Sequence, residues 1–244
     1  MCVAIVLRKT SSLSGFIPWL ILQYEGFGVG RADSDCTAII ANVLSQSRVA
    51  GIQLKTIFLD RDGVINKKMS EGNYVRAIEY FQLLPGVAEA IAALNRAGMR
   101  VIVVSNQRGI ARGLYTAQAV DAIHRHLQSE LGGTGARIDG FFYCPHDKKS
   151  CDCRKPLPGL YEQAKKQYPE ITPETSAMLG DSLSDIEFGR AIGMITVWIA
   201  GPKDSRKPGW ESAANLADMR CDSLLQAVEE LLQLPRSASS IPAQ

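Results

Sequence analysis

The sequence predicts an α/β fold, a doubly wound, Rossmann-like parallel sheet with helices on both faces. Three observations carry that prediction. Short apolar runs rich in β-branched residues alternate with helical segments. The runs are apolar throughout rather than at every second residue, as strands covered on both faces should be. The residues that follow each run are polar or charged, and they fall at the carboxyl ends of strands, where such sheets bind ligands.

Thr56-Ile-Phe-Leu59 reads as the first strand and delivers Asp60. Pro85-Gly86 opens a helix through about Ala97, with Gly98 as its C-cap. Arg100–Val104 is the second strand, and Thr116 caps a helix running to about Leu131. Gly140–Tyr143 ends a third strand, and a cysteine-rich loop follows it. Pro158 to about Gln167 is helical, and Ser176–Leu179 is the fourth strand. Ser182 or Ser184 begins a helix to Ala191, Met194–Ile199 is the fifth strand, and Asp222–Leu232 is a last amphipathic helix. This domain is expected over residues 53–235, with a loose tail at 236–244. Residues 1–52 show no clear period and are expected to be a poorly ordered extension.

Composition excludes several classes. The chain has 244 residues, 46% apolar and 21% charged, enough for a large core without disulfides. Net charge is only +2 with both signs interspersed, which argues against a nucleic-acid-binding face. The apolar stretch Phe16–Leu22 after Arg8 and Lys9 imitates a signal peptide. It contains Pro18, lacks a small-residue cleavage site, and falls well short of the ~20 apolar residues of a membrane span. A soluble, cytoplasmic, monomeric protein is expected, with a small phosphorylated molecule as its partner and neither nucleic acid nor membrane.

The strand ends carry the chemistry. After the first strand, Asp60 and Asp62 stand two residues apart and can face one pocket, while Gly63 lets the chain turn away. The second strand ends in Ser105-Asn106-Gln107, a hydroxyl and two amides suited to phosphate oxygens. The third loop brings Arg154-Lys155-Pro156, and the fourth strand ends in Gly180-Asp181-Ser182 with Asp185 one turn on. Of six cysteines, three cluster with a histidine as Cys144-Pro-His146 and Cys151-Asp-Cys153. Three thiolates and an imidazole suit a closed, tetrahedral and therefore structural zinc site. Cys2, Cys36 and Cys221 have no metal spacing, and His124 and His126 read as surface or boundary residues of a helix.

Asp60-x-Asp62-Gly63, Ser105, Lys155 and Gly180-Asp181-x3-Asp185, in that order and each after its strand, resemble the motifs of the haloacid dehalogenase (HAD) superfamily of phosphohydrolases. Within it, Phe58–Asn66, Asn73-Tyr74-Val75, Asn106–Gly113, Tyr143–His146 and Cys151–Pro156 resemble the heptose 1,7-bisphosphate 7-phosphatases, with histidinol-phosphate phosphatases as relatives. The stretch from Asn66 to Pro85 is too short for a cap domain, so a capless site with a zinc-binding loop as one wall is expected.

The resemblance implies a magnesium-dependent phosphatase. Asp60 would attack phosphorus to give an aspartyl-phosphate, and Asp62 would act as general acid and then base. Mg2+ would be held by Asp60, the main-chain carbonyl of Asp62, and Asp181, an oxygen-only set suited to a hard cation. Ser105, Asn106 and Lys155 would bind phosphoryl oxygens, with Asp185 orienting Lys155 or the metal site. Asn73, Tyr74, Gln107, Arg108 and Arg154 complete the implied substrate-binding set. The implied substrate is heptose bisphosphate on the route to lipopolysaccharide core or another surface glycan, with histidinol phosphate or another small sugar phosphate as the alternative.

Overall fold

Each short apolar run becomes a strand, and burying that strand on both faces removes all of its side chains from water. The computed structural model describes residues 53–70 and 72–233. The expected extension at 1–52 and tail at 236–244 lie outside the described residues. The elements run β1 (Thr56–Leu59), α1 (Val87–Arg96), β2 (Arg100–Asn106), α2 (Ala117–Gly132), β3 (Gly140–Cys144), α3 (Gly159–Gln167), β4 (Ser176–Gly180), α4 (Leu183–Ile192), β5 (Ile195–Ile199), α5 (Trp210–Leu216), β6 (Met219–Cys221) and α6 (Leu224–Gln233).

The sheet order is β3-β2-β1-β4-β5-β6, with every pairing parallel. The chain steps outward from β1 to β3, then returns to β4 on the other side of β1. The reversal between β1 and β4 opens the crevice in which such folds bind ligands. Alternation along the strands divides the core. Ile57, Leu59, Val101, Val103, Leu179 and Val197 pack with α1, α6 and the end of α2. Phe58, Ile102, Val104 and Met178 face the other way, toward Leu160 and Tyr161 of α3 and Phe188 of α4.

Local signals behave as the sequence implies. The Thr116 hydroxyl accepts from Ala119 N at 3.2 Å, capping α2. Ser182 caps α4, and its main-chain N–H donates to Asp185 Oδ2 at 3.0 Å. Two elements were not foreseen, α5 and β6. Three residues at a sheet edge carry no periodicity, and a seven-residue helix is too short to establish one. Among the described residues between β1 and α1, the chain makes two isolated bridges and a 3-10 turn at Ile78–Tyr80. Among the described residues no inserted domain covers the sheet edge, as the capless reading expects.

Candidate active site

Strand pairing sets the first distances. Asp60 N donates to Leu179 O at 2.9 Å, continuing the β1–β4 register one residue past the strand. That places Asp60 beside the residues that follow β4, and the carboxylates of Asp60, Asp181 and Asp185 converge with oxygens all within 4.8 Å of one another. Close approach at this edge depends on Gly63, whose φ is +107°. A Cβ built there would stand 2.3 Å from Asp181 Oδ2.

Lys155 reaches the same point from the loop after β3, crossing the end of β2. Its ammonium donates to Val104 O at 2.6 Å and Asp60 Oδ1 at 2.8 Å, and lies 2.6 Å from Asp185 Oδ1. All three donors are therefore used, on a side chain only 1% exposed. Burial pulls the Lys155 pKa down, but Asp185 and Asp60 outweigh it and raise it. Burial raises the Asp60 carboxyl to about 6, against the pull of Lys155. Asp185 moves the other way. Burial raises it, but Lys155 and Lys207 together hold it below the usual carboxylate range.

Asn106 braces the lysine. Its Nδ2 donates to Lys155 O at 3.1 Å and its Oδ1 accepts from Lys155 N at 3.0 Å. Gln107 is 2% exposed and spends its amide inside the protein. It donates to Asp62 Oδ2 at 3.0 Å and Ser105 Oγ at 2.7 Å, and accepts from Tyr115 OH at 2.8 Å. Asp62 also accepts from Asn66 Nδ2 at 3.0 Å and from Arg61 Nη2 at 2.8 and 3.1 Å. Burial pushes the Asp62 pKa up, yet Arg61 and the hydrogen bonds from Asn66, Gln107 and Arg61 outweigh burial and lower it.

The remaining sequence-predicted residues form the periphery. Asn73 is exposed and donates to Ser70 Oγ at 2.9 Å. The Tyr74 ring tilts against that of Tyr115 at 5.7 Å, and its hydroxyl lies 3.5 Å from Arg112 Nη1. Arg108 pairs with Asp147. Arg154 is half-buried, and its Nη1 has no partner.

The loop after β3 gathers Cys144, His146, Cys151 and Cys153. Cys144 Sγ lies 3.5 Å from Cys151 Sγ and 3.7 Å from His146 Nδ1, which is 3.3 Å from Cys153 Sγ. Burial raises the Cys144 and Cys153 pKa values, so these thiols resist ionising unless a cation offsets the charge. Four donors within 4.8 Å, three of them sulfur, could hold a tetrahedral zinc ion. The oxygens of Asp60 and Asp181 could equally hold a hard divalent cation.

Four residues of this edge carried no role in the sequence reading. Arg61 is fully buried against Asp62, with its Nε and Nη1 unpartnered. Lys68 and Lys207 pair with Asp181 at 2.5 and 3.1 Å, and Tyr115 supports Gln107. Arg61 was detectable in principle, since an arginine between two site acids has obvious partners. Lys207 was not, because nothing near it in sequence points to β4. His124 corrects the expectation of a surface or boundary residue. It is 5% exposed and stacks on Phe141 at 4.5 Å between centroids.

A sheet edge that gathers acids, a buried lysine and amide donors after successive parallel strands defines a class. The family model for haloacid dehalogenase-like hydrolases matches residues 68–193, just over half of the chain, and the chain belongs to that family. The match contains Ser105, Lys155, Asp181 and Asp185, while Asp60 and Asp62 lie immediately before it. The chain is 43% identical over 169 residues to D-glycero-alpha-D-manno-heptose-1,7-bisphosphate 7-phosphatase of Mycobacterium bovis, covering 69% of this chain and 86% of that protein. It is 34% identical over 181 residues to the corresponding beta-heptose enzyme of Bordetella bronchiseptica, covering 74% of this chain and 99% of that one. Among solved structures, the Bordetella bronchiseptica heptose bisphosphate phosphatase complexed with magnesium and phosphate superposes with a TM-score of 0.64 at 31% identity, over 74% of this chain and 99% of that one. The expected enzyme class, a phosphoric monoester hydrolase, holds.

Proposed function

We propose that this protein removes the 7-phosphate of D-glycero-D-manno-heptose 1,7-bisphosphate through an aspartyl-phosphate on Asp60. One observation carries the reading. A buried lysine bridges Asp60 and Asp185, while Asp62 and Asp181 share the same sheet edge. The relatives' names supply the substrate. A magnesium ion held by Asp60, Asp181 and the Asp62 main-chain carbonyl would supply charge neutralisation for the phosphate.

The residues divide the work. Lys155 holds Asp60 in place and offers its charge to phosphoryl oxygens. Asn106 fixes Lys155, and Ser105 completes the phosphate cradle. Asp60 attacks phosphorus as a carboxylate, and the bond to the sugar oxygen breaks. Asp62 gives that oxygen a proton, then takes one from the water that hydrolyses the acyl phosphate. The three donors on Asp62 favour its carboxylate, the form the second step needs. The protonated form that the first step needs must release at least one of them. Arg154, with a buried nitrogen lacking a partner, is suited to the substrate's second phosphate. Arg108, Asn73 and Tyr74 line the open side.

The Cys144, His146, Cys151 and Cys153 group is assigned to zinc, which would fix the loop that delivers Arg154 and Lys155. Reduced thiols of this kind suit the cytosol. No described helix is long and apolar enough to cross a membrane. Turnover of the alpha and beta anomers of heptose 1,7-bisphosphate, fructose 1,6-bisphosphate and histidinol phosphate is the deciding comparison. A heptose bisphosphate should be preferred. Preference for histidinol phosphate would overturn the substrate and leave the chemistry standing.

A further inference from the structure

Asp181 has both carboxylate oxygens capped by lysine. Lys68 Nζ lies 2.5 Å from Oδ2, and Lys207 Nζ lies 3.1 Å from Oδ1. The two cations arrive from different loops, Lys68 from the β1–α1 connection and Lys207 from the β5–α5 connection. Asp181 is only 5% exposed, so water offers little competition for these oxygens.

Each Asp181 oxygen keeps a second lone-pair site, but a divalent ion bound there stands beside an ammonium on the same buried carboxylate, and their repulsion favours release of one lysine. Lys68 is the harder to move, with a side chain 14% exposed that runs alongside Gly63. Lys207 is 45% exposed and sits on a long surface connection. Charge then decides where it goes. Asp60, Asp181 and Asp185 face Lys68, Lys155 and Lys207, so the acids and the ammonium groups already balance. A divalent cation arriving alone leaves an excess of positive charge beside a displaced ammonium. A phosphate dianion arriving with it restores the balance and offers that ammonium new oxygens.

We propose that Lys207 competes with the catalytic cation for Asp181 and, once displaced, turns to the substrate phosphate, so that metal and phosphate each strengthen the binding of the other. This rests on the reading that places the metal at Asp60 and Asp181. Coupling of this kind is reciprocal by thermodynamic necessity. Each ligand alone meets a penalty, and the pair together does not.

The test is titration calorimetry of the full chain with Mg2+, with and without saturating inorganic phosphate. Wild type should bind Mg2+ several-fold more tightly when phosphate is present. Lys207→Met should bind Mg2+ alone about twofold to fivefold more tightly than wild type, the range for losing one partly exposed competing ion pair, and should lose most of the phosphate enhancement. Lys207→Gln, measured alongside, should do the same, so that poor folding of one variant leaves the other. Lys207→Arg should behave as wild type. Unchanged or weaker Mg2+ binding in the Met and Gln variants would overturn the competition. Asp181→Asn separates the two readings. If it binds Mg2+ as wild type does, the metal placement itself is wrong.

Discussion

Replacing Gly63 with alanine tests how the sheet edge brings its acids together. Gly63 sits at φ +107°, and a Cβ there would meet Asp181 Oδ2 at 2.3 Å and Asp181 Cγ at 2.7 Å. Ordinary contact begins near 3.4 Å, so the carboxylate must retreat by about 1 Å. Lys68 Cδ at 3.3 Å leaves little room on that side. Backbone strain at positive φ adds about 1–2 kcal/mol. A displacement of about 1 Å in a positioned catalytic group costs on the order of 100-fold. Gly63→Ala should therefore lose about 2 kcal/mol in urea unfolding and about 100-fold in kcat/KM, with a raised Mg2+ requirement. Gly72→Ala is the control, since Gly72 has φ +85° and nothing within 4 Å of a built Cβ. It shares the backbone penalty and should keep its activity. Equal activity in the two variants would refute the claim that close approach at Gly63 shapes the site.

His146→Ala removes an exposed member of the zinc group at little packing cost. Metal analysis should show zinc falling from about one per chain, with Tm lower by about 4–8 °C for a loss of at least about 2 kcal/mol. Lys155→Met leaves two buried carboxylates without their cation, and should cost about 3–5 kcal/mol in urea unfolding as well as abolishing turnover. Burial, then Arg61, lowers the His124 pKa to about 3. Its contribution to stability is therefore complete above the ordinary histidine value near 6.5 and is lost progressively as pH falls toward 3. Between pH 6 and pH 4 it should contribute a slope of about 1 kcal/mol per pH unit, which His124→Phe removes; an unchanged slope would place the pH sensitivity elsewhere.

Most of the fold was legible because the buried strands are predominantly apolar and the helices carry their own signals, such as Thr116, although the start of α4 stayed open between Ser182 and Ser184. Strand order followed less directly. Parallel pairing with right-handed crossovers narrows the topology, but only the register fixes Asp60 beside the end of β4. The acids, the lysine and the cysteine–histidine loop stood out as groups because their residue types are chemically committed and sit after strands. Lys68 and Lys207 escaped because a lysine gives no sign in sequence of which acid it will reach. His124 escaped for a different reason. Its helix is amphipathic, but whether a boundary position closes over depends on the rings of Phe141 and Tyr143, which arrive from β3.

Rapid-quench peptide mass spectrometry during turnover bears most directly on Asp60. In wild type with Mg2+ and heptose bisphosphate, the peptide Thr56–Arg61 should carry a phosphoryl increment that disappears when substrate is chased out, and Asp60→Asn should show neither the increment nor turnover. Undiminished turnover by the Asp60→Asn variant, or a phosphoryl group trapped on another residue instead, would contradict the account.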